Sequence, residues 1–225
     1  MSAKYIRWSF ISLLGLVAFL ALLLPAPATL GASSTWTNGT YRFAGGTHPG
    51  ALVFAAVFSV LYLALMLAVP PEPGGVLPGV IRRFVAFRLD FFVAMMVITP
   101  AFGVVATVVE WGRTGVFLWM FERDTSARTD VLLTTGGSSL AFVVLLLYFA
   151  LPLVRRRPSP GSCIAGYQVL PDEGEALGLS RALLRTVVGF FAMSIWPLTP
   201  FIARQRNKGK VWFDRIFNTH AVALR

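Results

Sequence analysis

The sequence predicts an all-α integral membrane protein with four transmembrane helices, a C-terminal re-entrant or interfacial helical hairpin and a short cytoplasmic β-pair. Of its 225 residues, 56% are hydrophobic and 13% are charged, about half the charged share of a soluble domain. The mean hydropathy is +0.70. Four apolar runs reach the length of about 20 residues that crosses a bilayer. Because these runs are continuous and do not alternate, they exclude an outer-membrane barrel.

The first apolar run covers about residues 8 to 25 and follows a basic start with Lys4 and Arg7. Two interpretations fit this pattern. Ala26-Pro27-Ala28 resembles a signal-peptidase site, which would make the run a cleaved signal peptide. We prefer an uncleaved first span.

Residues 26 to 50 are polar and predict a small exposed β-hairpin. The stretch "STWTNGTYRF" alternates aromatic and polar residues around Asn38-Gly39. That dipeptide is a strong hairpin signal because both residues tolerate positive φ. A second span is predicted at about 51 to 69 and ends at Pro70-Pro71.

The third span is predicted at about 84 to 110 and contains Pro100, which favours a kink. After it come Trp111 and Trp119, which are typical of interfacial anchors on the far side of the membrane. The fourth span is predicted at about 132 to 154.

Small residues open the fourth span, and basic residues end it. The sequence "TTGGSS" (134 to 139) would permit close helix packing. Arg155-Arg156-Arg157 stop the span. In the polar loop that follows, "IAGYQVL" (164 to 170) is strand-like, and we expect it to pair with "THAVAL" (219 to 224).

The last apolar stretch, residues 182 to 203, is long enough to cross once, but the basic residues argue against a crossing. If the stretch turns back at "WPLTP", where Pro197 and Pro200 break the helix, sixteen of the 20 Lys and Arg lie on the cytoplasmic side with both termini. A full crossing would leave ten there. Because cytoplasmic loops carry the excess of Lys and Arg, we favour the re-entrant hairpin over a fifth span.

Three ordered motifs lie in residues 80 to 225. The first is "RRFVAFRLD", with Arg82, Arg83, Ala86 and Asp90. The second combines Pro160-Gly161 with "LGLSRALLR" (177 to 185). The third is "FDRIFNTHAVAL", with Asp214 and Thr219. Together these motifs resemble the RDD family of small bacterial membrane proteins. The division we expect is therefore an N-terminal two-span hairpin at 1–79 and an RDD-like membrane domain at 80–225.

The resemblance implies that the name-giving arginine and two aspartates correspond to Arg83, Asp90 and Asp214. Asp90 follows Arg83 by seven residues, two helical turns, so both share one face of the third span. A carboxylate at the edge of the hydrocarbon is costly unless it is paired, and arginine is suited to hold it. We expect a cytoplasmic cluster of Arg83, Asp90 and Asp214, with Arg185 and Arg82 beside it.

The sequence carries no nucleotide-binding, hydrolase or metalloprotease motif. With two histidines far apart and one cysteine, it predicts no metal, no cofactor and no enzyme activity. The net charge of +10 follows from the cytoplasmic excess of basic residues, so we expect anionic lipid headgroups as partners and no nucleic acid.

Two functional hypotheses remain. The first is a non-enzymatic accessory or scaffold subunit of the bacterial inner membrane, which packs against other integral membrane subunits of a larger complex, such as one related to transport. The alternative is a small cation or solute transporter acting as an oligomer, because some members of the family are linked with sodium/proton antiport. Spans one, two and four contain no charged residue, which favours the first hypothesis.

Overall fold

The computed structural model describes residues 3–23, 31–37, 40–68, 73–74, 78–125, 128–172, 177–194 and 211–224. Helices dominate the described chain. In order, the elements are α1 (Ala3–Leu23), β1 (Gly31–Thr37), β2 (Thr40–Gly46), α2 (Pro49–Leu67), β3 (Pro73–Gly74), α3 (Val80–Thr114), β4 (Met120–Thr125), α4 (Arg128–Val154), α5 (Pro160–Ala165), β5 (Tyr167–Pro171), α6 (Leu179–Ser194), α7 (Trp212–Ile216) and β6 (Thr219–Leu224).

Three of the described helices are long and apolar enough to cross a membrane. They are Pro49–Leu67, Val80–Thr114 and the Thr134–Val154 part of α4. By length and composition they confirm the second, third and fourth predicted spans, and α3 continues through Pro100. The apolar part of α1, Tyr5–Leu20, is shorter. A fourth crossing stays a prediction.

The chain divides into two compact units, of which the second contains Val17–Ser59 and Ala94–Leu145. Its sheet has the strand order β1-β2-β4. The predicted pairing of the two strands is confirmed, with Thr37 opposite Thr40. Strand β4, antiparallel to β2, was not expected, because its sequence "MFERDT" carries three charges and follows the aromatic anchors.

Small residues allow this sheet to approach α3 closely within the same unit. A side-chain carbon at Gly103 would meet the carbonyl oxygen of Gly46 and lie 2.9 Å from Cβ of Thr47. The backbone of Thr47 donates a hydrogen bond of 2.9 Å to the carbonyl of Trp119. The loop between β2 and α2 is thereby fixed to the segment that leads into β4.

The first unit contains Met1–Leu16, Val60–Val93 and Leu146–Arg225. Its sheet has the order β3-β6-β5, and the antiparallel register runs from Tyr167 opposite Ala223 to Pro171 opposite Thr219. The predicted pairing of the loop after the fourth span with the C-terminal segment is confirmed. The short strand β3 extends the sheet on the other side of β6.

The core of the first unit joins this sheet and two helices to α3. Ala86 of α3, Tyr167 and Ala221 are buried together. Met193 of α6 packs with Val211 and Phe213, and several side chains of α3 line that cluster, among them Phe84 and Phe87. The C-terminal segment is therefore built around the start of α3.

One expectation falls outside the described residues. The proposed break at Pro197 and Pro200 lies in 195–210, so the re-entrant hairpin stays a prediction, and only α6 represents that region here. The boundary at residue 80 also stays a prediction.

Candidate functional site

The centre of the candidate site is Asp214, a carboxylate that is 0% exposed. It lies in the first turn of α7 and is reached from two other helices. Arg83 Nη1 of α3 donates to its Oδ2. Arg185 Nη2 of α6 donates to its Oδ1 at 2.6 Å. Each carboxylate oxygen thus has a guanidinium partner, which is what a fully buried acid requires.

Thr219 completes this arrangement at the start of β6. Its hydroxyl oxygen accepts a hydrogen bond of 3.1 Å from Arg185 Nε and lies 3.2 Å from Asp214 Oδ1, to which it donates. The guanidinium carbon of Arg185 also lies 5.5 Å from the centre of the Phe213 ring. We call Arg83, Arg185, Asp214 and Thr219 the clamp. It connects α3, α6, α7 and β6.

Asp90 is also buried, at 4% exposure, but neutral groups hold it. Ser159 Oγ donates to Oδ2 at 2.6 Å. The backbone N–H of Gly161 donates to Oδ1 at 2.7 Å, and the Tyr148 hydroxyl makes a long contact of 3.5 Å. Asp90 therefore fixes the start of α5 against α3.

We expected an arginine beside Asp90, and none in the described part of the chain is its partner. The reason is distance along the helix. Seven residues of α-helix rise by about 10 Å, so Arg83 lies well along α3 from Asp90. The guanidinium group of Arg83 forms its ion pair with Asp214.

Arg82, the remaining predicted residue, binds the other end of α5. Its Nε donates to the carbonyl of Ala165, and its Nη2 donates to the carbonyl of Gly166 at 3.1 Å. Gly166 ends α5 in the left-handed conformation with φ of 68°. The last carbonyl groups of a helix have no hydrogen-bond donors within the helix. Arg82 supplies the donors for these carbonyls at the end of α5.

A cavity of about 110 Å³ lies between these groups, inside the first unit. Four charged residues line it: Arg83, Asp90, Arg157 and Arg185. Part of the remaining lining is aromatic, from Phe87, Phe149, Phe190 and Phe213. The cavity lining thus combines charged and aromatic side chains.

Two ionisable groups near the cavity but outside the spans are held neutral by burial. Burial raises the pKa of Cys163 from its ordinary value of 9.0 to about 11. Burial also raises the pKa of Tyr167 well above its ordinary range, and the charge of Asp90 adds to this effect. The Cys163 thiol is therefore a packing group at neutral pH. Within the described residues no group of three His, Cys, Asp or Glu could hold a metal ion.

Sequence reasoning missed Ser159, Tyr148 and Arg157 as site residues. Ser159 had a usable signal, because Ser-Pro-Gly is a favourable start for a helix, with the serine as N-cap and proline in the first turn. Tyr148 lies in an apolar run, where nothing marks it as a partner for Asp90.

Comparison with protein families supplies the classification. The model of the RDD family matches residues 77–218, more than half of the chain. The chain belongs to the RDD family. The matched region contains the clamp except for Thr219, and it contains Asp90 with its three donors. Comparison with curated proteins found no match, and neither did comparison with solved structures. The family and the apolar helices indicate a membrane-associated protein.

Proposed function

We propose that this RDD protein is a non-enzymatic accessory or scaffold subunit of the bacterial inner membrane. In this proposal α4 packs against a larger membrane complex, such as one related to transport, and both termini lie in the cytoplasm. The clamp holds the C-terminal segment under the start of α3. Basic residues at the cytoplasmic face contact anionic headgroups.

The observation that carries the proposal is the small-residue face of α4. Thr135, Gly136, Ser138 and Ser139 are exposed, and a side-chain carbon at Gly136 would meet nothing within 4 Å. A side-chain carbon at the neighbouring Gly137 would lie 3.8 Å from the Phe102 ring of α3. Small residues let the backbones of two membrane helices approach closely. At Gly136 no helix in the described chain makes that approach, which leaves it for a partner.

The clamp gives independent support. Both oxygens of Asp214 and two nitrogens of Arg185 are engaged by other residues of the clamp. A carboxylate held in this way is committed to fastening segments together. This arrangement suits a rigid platform better than a proton-transferring centre.

Gly136→Leu tests the proposal, with Gly15→Leu of α1 as the matched control. Both glycines are exposed, lie inside helices and have open space around them, so both variants should fold. We expect affinity-tagged wild type and Gly15→Leu to co-purify in mild detergent with a larger partner at fixed stoichiometry, and the tagged partner to recover both proteins in turn. With Gly136→Leu the amount of partner recovered should be at least about tenfold lower than with wild type, which corresponds to about 1.4 kcal/mol of association free energy. Equal recovery of the two variants, or a wild type that purifies alone, would contradict the proposal.

A small cation or solute transporter is the second candidate, and Asp90 is the observation that favours it. This carboxylate is buried in a candidate span, lines the cavity and has only neutral donors in the described chain. Ionisable residues at membrane depth often mark ion pathways. Cation flux into vesicles that contain this protein alone, abolished by Asp90→Asn, would establish this candidate over the first.

A further inference from the structure

We infer that the cavity of the first unit binds a phosphate-bearing anion through Arg157. This is a specific site beyond the proposed scaffold function, and it stands or falls separately from the partner of α4. The inference rests on one buried donor, the charge around it and the aromatic side chains in the same cavity lining.

The donor is Arg157 Nη1. This nitrogen is shielded from solvent and has no hydrogen-bond partner in the described part of the chain. A buried donor left without an acceptor is destabilising because it has lost its hydrogen bonds to water, and native structures pair nearly all such groups. An acceptor from outside the chain would remove that cost.

The backbone holds Arg157 in place. Its N–H donates to the carbonyl of Pro152 at 2.8 Å, and Gln168 Nε2 donates to the carbonyl of Arg156 at 2.5 Å. Arg156 itself has a φ of 51°, a conformation rare for residues other than glycine. The backbone of the turn that carries Arg157 is therefore constrained on both sides of the residue's own N–H.

The charge around the cavity favours an anion. Arg83 and Arg185 both pair with Asp214. The carboxylate of Asp90 faces the same cavity, but three donors occupy it. Even with both acids counted as charged, the third guanidinium, that of Arg157, leaves a positive surplus. A guanidinium matches the geometry of phosphate oxygens.

The position of Arg157 and the aromatic lining of the cavity suit a phosphate group that carries an apolar tail. Arg157 stands three residues beyond Val154, the end of a candidate span, which places it near a membrane surface. Basic pockets between helices at such surfaces bind phospholipid headgroups. Phe87, Phe149 and Phe190 line the same cavity. The shared chemistry is a phosphate group, carried either by a lipid or by the free ion.

The test is a binding measurement at fixed ionic strength on the purified full chain in detergent. The probes are inorganic phosphate, dihexanoyl phosphatidic acid and dihexanoyl phosphatidylcholine, each followed by the shift of the unfolding midpoint with probe concentration. The variant is Arg157→Gln, which removes the charge and no hydrogen bond in the described chain. Arg155→Gln, an exposed arginine of the same turn, is the matched control.

We expect phosphatidic acid or inorganic phosphate to bind, with affinity at least about tenfold lower in Arg157→Gln and within about twofold of wild type in Arg155→Gln. Binding of both probes identifies the phosphate group alone, and binding of phosphatidic acid alone identifies headgroup plus tail. Three results would overturn the inference: no binding of either anion, equal losses in the two variants, or equally tight binding of phosphatidylcholine.

Discussion

At the scale of the residue, the main feature is a carboxylate buried without access to water. Removing an acid from water costs several kcal/mol, and the interior repays it only with excellent geometry and additional hydrogen bonds. Asp214 meets that condition through Arg83, Arg185 and Thr219. The same physics makes the arrangement intolerant of change, because any lost partner leaves a buried charge.

Arg185→Lys should therefore destabilise the protein although it keeps the charge. Lysine is a compact point charge, so it cannot reproduce both the Nη2 contact to Asp214 and the Nε contact to Thr219. We expect the free energy of unfolding in detergent to fall by about 1–3 kcal/mol. Arg181→Lys, an exposed residue one turn earlier on α6, should change it by less than about 0.5 kcal/mol. Equal effects of the two variants would count against the clamp.

Cys163 should resist thiol reagents in the folded protein. Its pKa is raised by burial from 9.0 to about 11, and the thiolate is the reactive form. At pH 8 the thiolate is therefore about a hundredfold scarcer than in the unfolded chain. We expect maleimide labelling to be at least about a hundredfold slower before unfolding than after it. Ser180→Cys in a Cys163→Ser background, at an exposed position, should react rapidly. Fast labelling of Cys163 in the folded protein would contradict its burial in α5.

At the scale of the element, the contact between α5 and α3 depends on a residue without a side chain. A side-chain carbon at Gly161 would meet the carbonyl oxygen of Ala86 and lie 2.9 Å from Cγ of Asp90. The close approach lets the Gly161 N–H reach Asp90. The Ala86 and Pro160-Gly161 positions of the family motifs are thus two sides of one contact.

Gly161→Ala should push α5 away from α3. Because the nearest atoms include backbone, the structure has little room to adjust, and we expect a loss of about 1–3 kcal/mol in unfolding free energy. Gly112→Ala is the control: it lies inside α3 with nothing within 4 Å and should be neutral or stabilising by up to about 1 kcal/mol. A stable Gly161→Ala variant would argue against this packing.

The sequence was informative wherever a local pattern determines the element. Apolar length located α2, α3 and α4, Asn38-Gly39 located the hairpin, and the two apolar stretches in the polar tail located the β5–β6 pair. It failed at β4, because that strand is defined by pairing with β2, from which about 80 residues separate it. It also misassigned the partner of Asp90, since helical spacing reports a shared face and not where a flexible arginine points.

At the scale of the whole molecule, the match to the RDD family covers residues 77–218. Helices α1 and α2 and the β1–β2 hairpin lie before it. Two different contacts hold the C-terminal segment: the clamp joins it to α3 and α6, and the β5–β6 pair joins it to the loop after α4. The segment from α7 to β6 is therefore a fixed part of the protein and not a tail.

Amide hydrogen exchange of β6 in the purified protein measures this claim most directly. Asp214→Asn leaves Arg83 and Arg185 buried without their acid, a defect of about 3–5 kcal/mol, so exchange at Thr219–Leu224 should accelerate at least about a hundredfold. Asp172→Asn removes a carboxylate that pairs with His220 of the same strand at 2.7 Å but is partly exposed, so it should accelerate exchange by less than about threefold. If exchange at Thr219–Leu224 in Asp214→Asn is as slow as in wild type, the clamp does not hold the C-terminal segment in place.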